Sequence, residues 1–238
     1  YFLTCYTWSK AIDTVSSANF ASAVTGGVQN MMDPGQNRGV SDWDVPHRLA
    51  FSYVYDLPFG KGMQYLANAP AVVNHLLGGW QMTGIFIASS GVPGTVSVGS
   101  TIPGGDARPN LVGDPSALPG GAERGPDMWF NTEAFVANTD DEGNLLPGNA
   151  GRNIIRGPRY TNLDLGVTKF FSLTERVRLQ FRAEFFNLSN TPHFALPMLR
   201  MSDASFGRLT HTRNPVNYGS SATTYASRMI QFALKLEF

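Results

Sequence analysis

Four histidines are the first candidates for metal binding or acid–base work: His47, His75, His193 and His211. They lie far apart, and none sits in an HExxH or a His/Cys ligand spacing, so ordinary polar positions in loops or at strand ends are expected of them. Ser89-Ser90-Gly91 does not belong to a GxSxG nucleophile elbow and reads as a turn after a strand. A hydrolase at the rim of a barrel would need a Ser/His or Asp/His pair within hydrogen-bond reach. Gly60-Lys61 lacks the earlier glycine of a phosphate-binding loop. Cys5, the single cysteine, has no partner for a disulfide or a thiolate metal site and suits a small apolar strand position. The run Asn138-Thr139-Asp140-Asp141-Glu142-Gly143-Asn144 offers oxygens for calcium, but Asn149 stands where a bidentate glutamate is needed. A solvated loop tip is the preferred reading there. No catalytic group, cofactor or resident metal is expected.

The spacing that does carry information is two. Arg176, Arg178, Gln180, Arg182 and Glu184 alternate with Val177, Leu179, Phe181, Ala183 and Phe185, the pattern of a strand with one wet and one apolar face. Three arginines, a glutamine and a glutamate on one face need water, as on an outer surface or in a wet barrel lumen. Charge partners on neighbouring strands are expected for Arg182 and Glu184. The C-terminus repeats the pattern: Ile230, Phe232, Leu234, Leu236 and Phe238 share one face, and Met229, Gln231, Ala233, Lys235 and Glu237 the other.

The elements that position these faces follow the same period. Further strands are predicted over 2–9, 47–57, 80–90 and 162–171, giving six with 175–188 and the C-terminal segment. At roughly nine to fourteen residues they match the length a tilted strand needs to cross a bilayer. Composition agrees with an all-β chain: charged residues are only 15%, basic and acidic residues cancel at 18 each, and 16 Phe, 8 Tyr, 25 Gly and 15 Pro supply rings and turns. No basic block points to nucleic acid. No run of 18 apolar residues exists to form a transmembrane helix.

The connections alternate long, short, long, short, long: 11–46, 58–79, 91–159, 172–174 and 189–224. A short helix is expected within 67–77. This parity is that of a transmembrane barrel with tight periplasmic turns and long outer loops, Phe238 ending on the periplasmic side. Phe130, Phe135 and Trp129 are read as part of a loop folding back over the pore. The alternative is a soluble, secreted β-sandwich such as a carbohydrate-binding module, in which the apolar faces would pack on each other.

Several stretches resemble a known family. Gly151-Arg152-Asn153-Ile154-Ile155-Arg156-Gly157-Pro158-Arg159-Tyr160 followed by Asn162-Leu163-Asp164-Leu165 is similar to TonB-dependent receptors of the Oar-like type. So are Arg182-Ala183-Glu184-Phe185-Phe186-Asn187-Leu188-Ser189-Asn190, Tyr6-Thr7-Trp8-Ser9-Lys10-Ala11-Ile12-Asp13, Leu57-Pro58-Phe59-Gly60-Lys61-Gly62 and Gly78-Gly79-Trp80-Gln81. The resemblance implies that residues 1–238 are the C-terminal part of an outer-membrane receptor barrel. The chain would supply the last six or so of about 22 strands, with the plug and other N-terminal domains absent. It also implies that Ile230, Phe232, Leu234, Leu236 and Phe238 form the signal read by the barrel assembly machinery. Expected partners are outer-membrane lipid, the missing plug and strands, and, through the N-terminal part, the TonB complex. The polar ladder from Arg176 to Glu184 would face the lumen.

Overall fold

The aromatic and β-branched alternation resolves into strands because such side chains pack well on a pleated surface. A computed structural model describes residues 1–16, 29–30, 33–102, 105–174, 176–212 and 227–238. Six long strands form one sheet: β1 (Phe2–Trp8), β2 (His47–Asp56), β3 (Trp80–Ser89), β4 (Tyr160–Ser172), β5 (Arg178–Phe186) and β6 (Met229–Glu237). Their order in the sheet is their order in the chain, and every neighbouring pair is antiparallel. Among the described residues β1 and β6 each pair on one side only, so the sheet is open at both edges.

All six predicted strands are present, with shifts at their ends that have local causes. The segment predicted over 175–188 begins at Arg178. Leu173 N and Thr174 N both donate to Val177 O, and Val177 N donates back to the Thr174 hydroxyl, so the tight turn consumes those residues. Arg176 therefore sits in the turn, its backbone N donating to Thr174 Oγ1 (3.3 Å). This corrects its place in the ladder; Glu175 lies outside the described residues. At the other end Asn187, at φ 49°, turns the chain out of the sheet before Leu188.

The helix expected within 67–77 is α1 (Ala71–Leu77). Its start is delayed by Pro70, since the residue before a proline is biased away from helical geometry. Gly60, at φ 123°, packs its Cα against Gly78, where any side chain would collide, and this brings the two ends of the 58–79 connection together.

The long connections contain more structure than their glycine and proline content predicts. Part of 11–46 and much of the end of 189–224 fall outside the described residues. The rest includes two-residue ladders joining Ile12–Asp13 to Gly39–Val40, Pro93–Gly94 to Ile155–Arg156, and Asn110–Leu111 to Phe135–Val136. A hydrophobic core lies there rather than in the sheet. Val96, Phe130, Ala134, Phe135, Ala150 and Ile155 are buried together, flanked by Leu111, Trp129, Ile154, Leu199, Met201 and Phe206. The rings of Phe130, Phe135 and Phe206 meet edge to face at 5.3 to 6.3 Å, a favoured aromatic geometry.

Candidate functional site

The register places each sheet residue on one of two faces. On the first, Phe2, Thr4, Tyr6 and Trp8 of β1 lie beside Tyr53, Phe51, Leu49 and His47 of β2. Phe51 and Tyr55 continue to Phe86 and Met82 of β3, and these to Leu163 and Val167 of β4. Leu165, Val167 and Phe171 then oppose Phe185, Ala183 and Leu179 of β5. Finally Leu179, Phe181, Ala183 and Phe185 oppose Leu236, Leu234, Phe232 and Ile230 of β6. One largely apolar surface thus crosses all six strands, interrupted on β4 by Lys169 between Trp80 and Phe181. Gly84, opposite Tyr53, leaves space that the tyrosine ring fills.

On the second face Arg178, Gln180, Arg182 and Glu184 form a row with Lys235 and Glu237 of β6 and with Asn162, Asp164 and Thr168 of β4. The charge pairing differs from the cross-strand pattern expected. Arg182 pairs with Glu184 two residues along its own strand, because Thr168 and Ala233 oppose Arg182, and Gly166 and Gln231 oppose Glu184. Likewise Lys235 donates to Glu237 (3.0 Å) on its own strand. The row is continuous but its ion pairs run lengthwise.

Where the long connections leave the sheet, they are stapled by buried charge. The Arg152 side chain is buried, its Nε donating to Asn37 O (3.1 Å), Nη1 to Ser16 Oγ (2.8 Å), and Nη2 to Asp13 O (2.9 Å) and the Asp13 carboxylate. Asp42 lies 3.9 Å from the same guanidinium. Burial pulls the pKa of Arg152 below the ordinary value, yet an arginine keeps its charge, so two carboxylates beside it are the compensation such a site needs. Asn153, at φ 59°, donates from Nδ2 to Val40 O (2.7 Å) and Asp42 Oδ1 (2.6 Å). Arg156 pairs with buried Asp44, which also accepts from Ala11 N (2.7 Å). Arg108, desolvated in the same way, donates to Gln29 Oε1 (2.7 Å) and Gln36 O (3.1 Å). The third connection joins through backbone bonds such as Ser97 N to Leu199 O and Trp129 N to Gly207 O, and through the aromatic core.

A family model described as outer membrane beta barrel domain matches residues 1–231. The chain belongs to that family. The bacterial outer membrane is therefore where this barrel domain resides. No curated protein and no solved structure matches it.

The site residues named from sequence fall into two groups in the barrel domain. Ile230, Phe232, Leu234 and Leu236 line one face of the edge strand β6, with Leu234 70% exposed and terminal Phe238 96% exposed. Arg178, Gln180, Arg182 and Glu184 lie on the opposite face of β5, and Arg176 does not join them. His47 bonds Tyr6 Oη (2.8 Å), His75 meets the Phe171 ring, His193 meets Thr161 O (2.8 Å) and His211 contacts Thr210 Oγ1 (2.7 Å). Each is thus engaged locally, and among the described residues no cluster of three potential metal ligands forms. In the acidic tip, Asp140 accepts from Asn144 Nδ2 (2.9 Å), Asn144 N (2.7 Å) and Glu142 N (3.1 Å). Its carboxylate closes a turn.

Sequence reasoning missed the staple of Arg152 and Arg156 on Asp13, Asp42 and Asp44. The available signal was a pair of arginines four apart in one Gly-rich connection and a matching set of aspartates in another.

Proposed function

We propose that this chain is the C-terminal wall segment of a TonB-dependent receptor of the Oar-like type, its six strands belonging to a larger barrel of about 22. The observation that carries the reading is a sheet open at two edges whose one face is largely apolar across all six strands, while the other carries the polar and charged row of β4, β5 and β6. An open sheet in water would present its edges and its apolar face to aggregation. Lipid against one face, a wet lumen with a plug against the other, and further strands at β1 and β6 resolve all three exposures. The long, joined connections stand on the outer side and the 173–177 turn on the periplasmic side. The family resemblance of the Arg152–Tyr160 and Arg182–Asn190 stretches supports the receptor class. Ile230 to Phe238 would serve as the assembly signal, and the role is passage of a substrate under TonB coupling rather than catalysis.

The soluble β-sandwich reading would need a second sheet over the apolar face. Among the described residues the other ladders are two residues long. The test is uptake by the full-length receptor in cells with and without TonB. Uptake lost with TonB is the expected result; TonB-independent passage would overturn the receptor assignment. Residues 1–238 expressed alone should aggregate or require detergent, and a monodisperse monomer in plain buffer would contradict the wall assignment.

A further inference from the structure

The connection between β2 and β3 carries apolar surface outside both faces of the sheet. Val72 of α1 is 71% exposed and Leu76 59% exposed, with Leu77 beside them. Phe59, Met63, Tyr65 and Leu66 in the preceding turn are exposed as well. On a helical wheel Val72, Val73, Leu76 and Leu77 share one arc, and Asn74 and His75 occupy the other. Asn74 is spent on the turn, its Oδ1 accepting from Lys61 N (2.6 Å).

The end of α1 is fixed to one particular side of the sheet. Trp80 Nε1 donates to Leu76 O (3.0 Å). Lys169 Nζ donates to Leu76 O (3.1 Å) and to Gly78 O, capping the last carbonyls of the helix. The ammonium also lies 5.1 Å from the Trp80 ring centroid and 4.9 Å from that of Phe171, within cation–π range. His75 meets Phe171 at 5.4 Å. Trp80 opposes Lys169, Lys169 opposes Phe181, and Phe171 opposes Leu179, so all three contact residues stand on the apolar face. The helix is therefore docked on the side of the sheet that continues into the apolar belt. Strands added at the open edges would not cover it, because both neighbours of this hairpin, β1 and β4, are already in place.

We propose that α1 and the 58–66 turn form a membrane-interface foot. It lies in the headgroup layer of the leaflet at the short-connection end of the wall, with Val72, Leu76 and Leu77 against acyl chains. Continuity with the belt decides the occupant: a surface joined to a lipid-facing wall meets the same lipid. Trp80 and Lys169 mark the boundary, as an amphipathic ring and a long cationic side chain do where hydrocarbon gives way to headgroups. Lys169 acts as a positioning residue, holding the helix end while its charge is satisfied by carbonyls and rings. Because the strands already hold α1 beside the bilayer, its apolar arc only has to add buried area to theirs and not to bind the membrane by itself. The inference rests on the apolar face being lipid-facing.

The test uses the full-length protein with C5S and any cysteine outside residues 1–238 also replaced by serine, and with single cysteines L76C, V72C, L234C on β6 or V112C in a long connection, each labelled with an environment-sensitive fluorophore. Reconstitution is in vesicles of phosphatidylethanolamine and phosphatidylglycerol with bromine near the headgroup or deep in the chains. L234C should be quenched by deep bromines, V112C by neither, and L76C and V72C about twofold more by shallow than by deep bromines, as for a helix in the interface. Quenching at L234C with none at L76C and V72C would overturn the foot while leaving the wall intact, and would point to a protein partner or a second copy covering α1. No quenching at L234C would remove both. K169E should abolish quenching at L76C and K169R should keep it; unchanged quenching in K169E would overturn the positioning role.

Discussion

The sheet and the loop assembly of this outer-membrane barrel domain are stabilised in opposite ways. Among the described residues of the six-stranded sheet, Ala183 is the only strongly buried apolar side chain, and large side chains such as Phe232 and Leu234 remain exposed. The loop assembly buries Phe130 to 2% and sets an aromatic cluster beside a buried arginine network. On the proposed reading the sheet is half of an interface whose other half is lipid, water or further strands. The loops form their own interior, as a soluble domain does, and so can keep a shape where no bilayer supports them. Stability in the first region depends on surroundings, in the second on composition.

The largest expected effects break the loop side alone. R152M leaves Asp13 and Asp42 beside an apolar chain, a loss of about 3 kcal/mol, the lower end for a broken buried pair because both carboxylates keep 30% exposure. Amide exchange should rise across 37–44 and 92–98 while β5 stays protected; equal deprotection of β5 would mean that the two regions unfold together. F130A removes the central ring of the loop core and should cost about 3–5 kcal/mol by cavity formation. Limited proteolysis between 112 and 146 would report it, and unchanged cleavage would show that the core does not order this connection.

Smaller effects sharpen the sheet side. L234R places a charge on the apolar face of β6 and should cost about 2–4 kcal/mol in urea unfolding from vesicles. Q231R, on the other face, should cost far less. Equal costs would erase the distinction between the faces. R182A removes an ion pair whose arginine is half exposed, so its effect should stay below about 1 kcal/mol; a larger loss would show that the pair is desolvated in the assembled barrel.

The smallest effect is a pH response in the 138–146 turn. Hydrogen bonds from the Asn144 side chain and backbone, with those from Glu142 and Gly143, hold the Asp140 carboxyl below its ordinary value of 3.8. A depressed carboxyl contributes fully above the ordinary value and loses that contribution as pH falls below it through the folded value. Protection of the Asn144 amide, taken relative to its intrinsic exchange rate at each pH, should therefore fall only in that acid range, and D140N should abolish the response.

Much of the sheet was legible because period two acts locally: β6 and β5 show their faces in consecutive residues. Strand ends were less so, since Thr174, Val177 and Asn187 set them through turn bonds rather than hydrophobicity. Pairing partners were least legible. Arg182 binds Glu184 lengthwise because register, absent from the strand's own sequence, places Thr168, Gly166, Ala233 and Gln231 across from them. The loop core was hidden for a related reason. Val96, Phe130, Ala150 and Phe206 are scattered among glycines and prolines, and only the folded connection brings them together.

The central claim, a wall with one lipid face and one wet face, is tested most directly by nitroxide labels at successive positions 229–237 of the full-length protein in outer-membrane vesicles. Accessibility to oxygen and to a water-soluble nickel chelate should alternate, oxygen dominating at Ile230, Phe232, Leu234 and Leu236 and nickel at Gln231, Ala233, Lys235 and Glu237. The same accessibility at every position, or nickel access at the four apolar ones, would contradict the account.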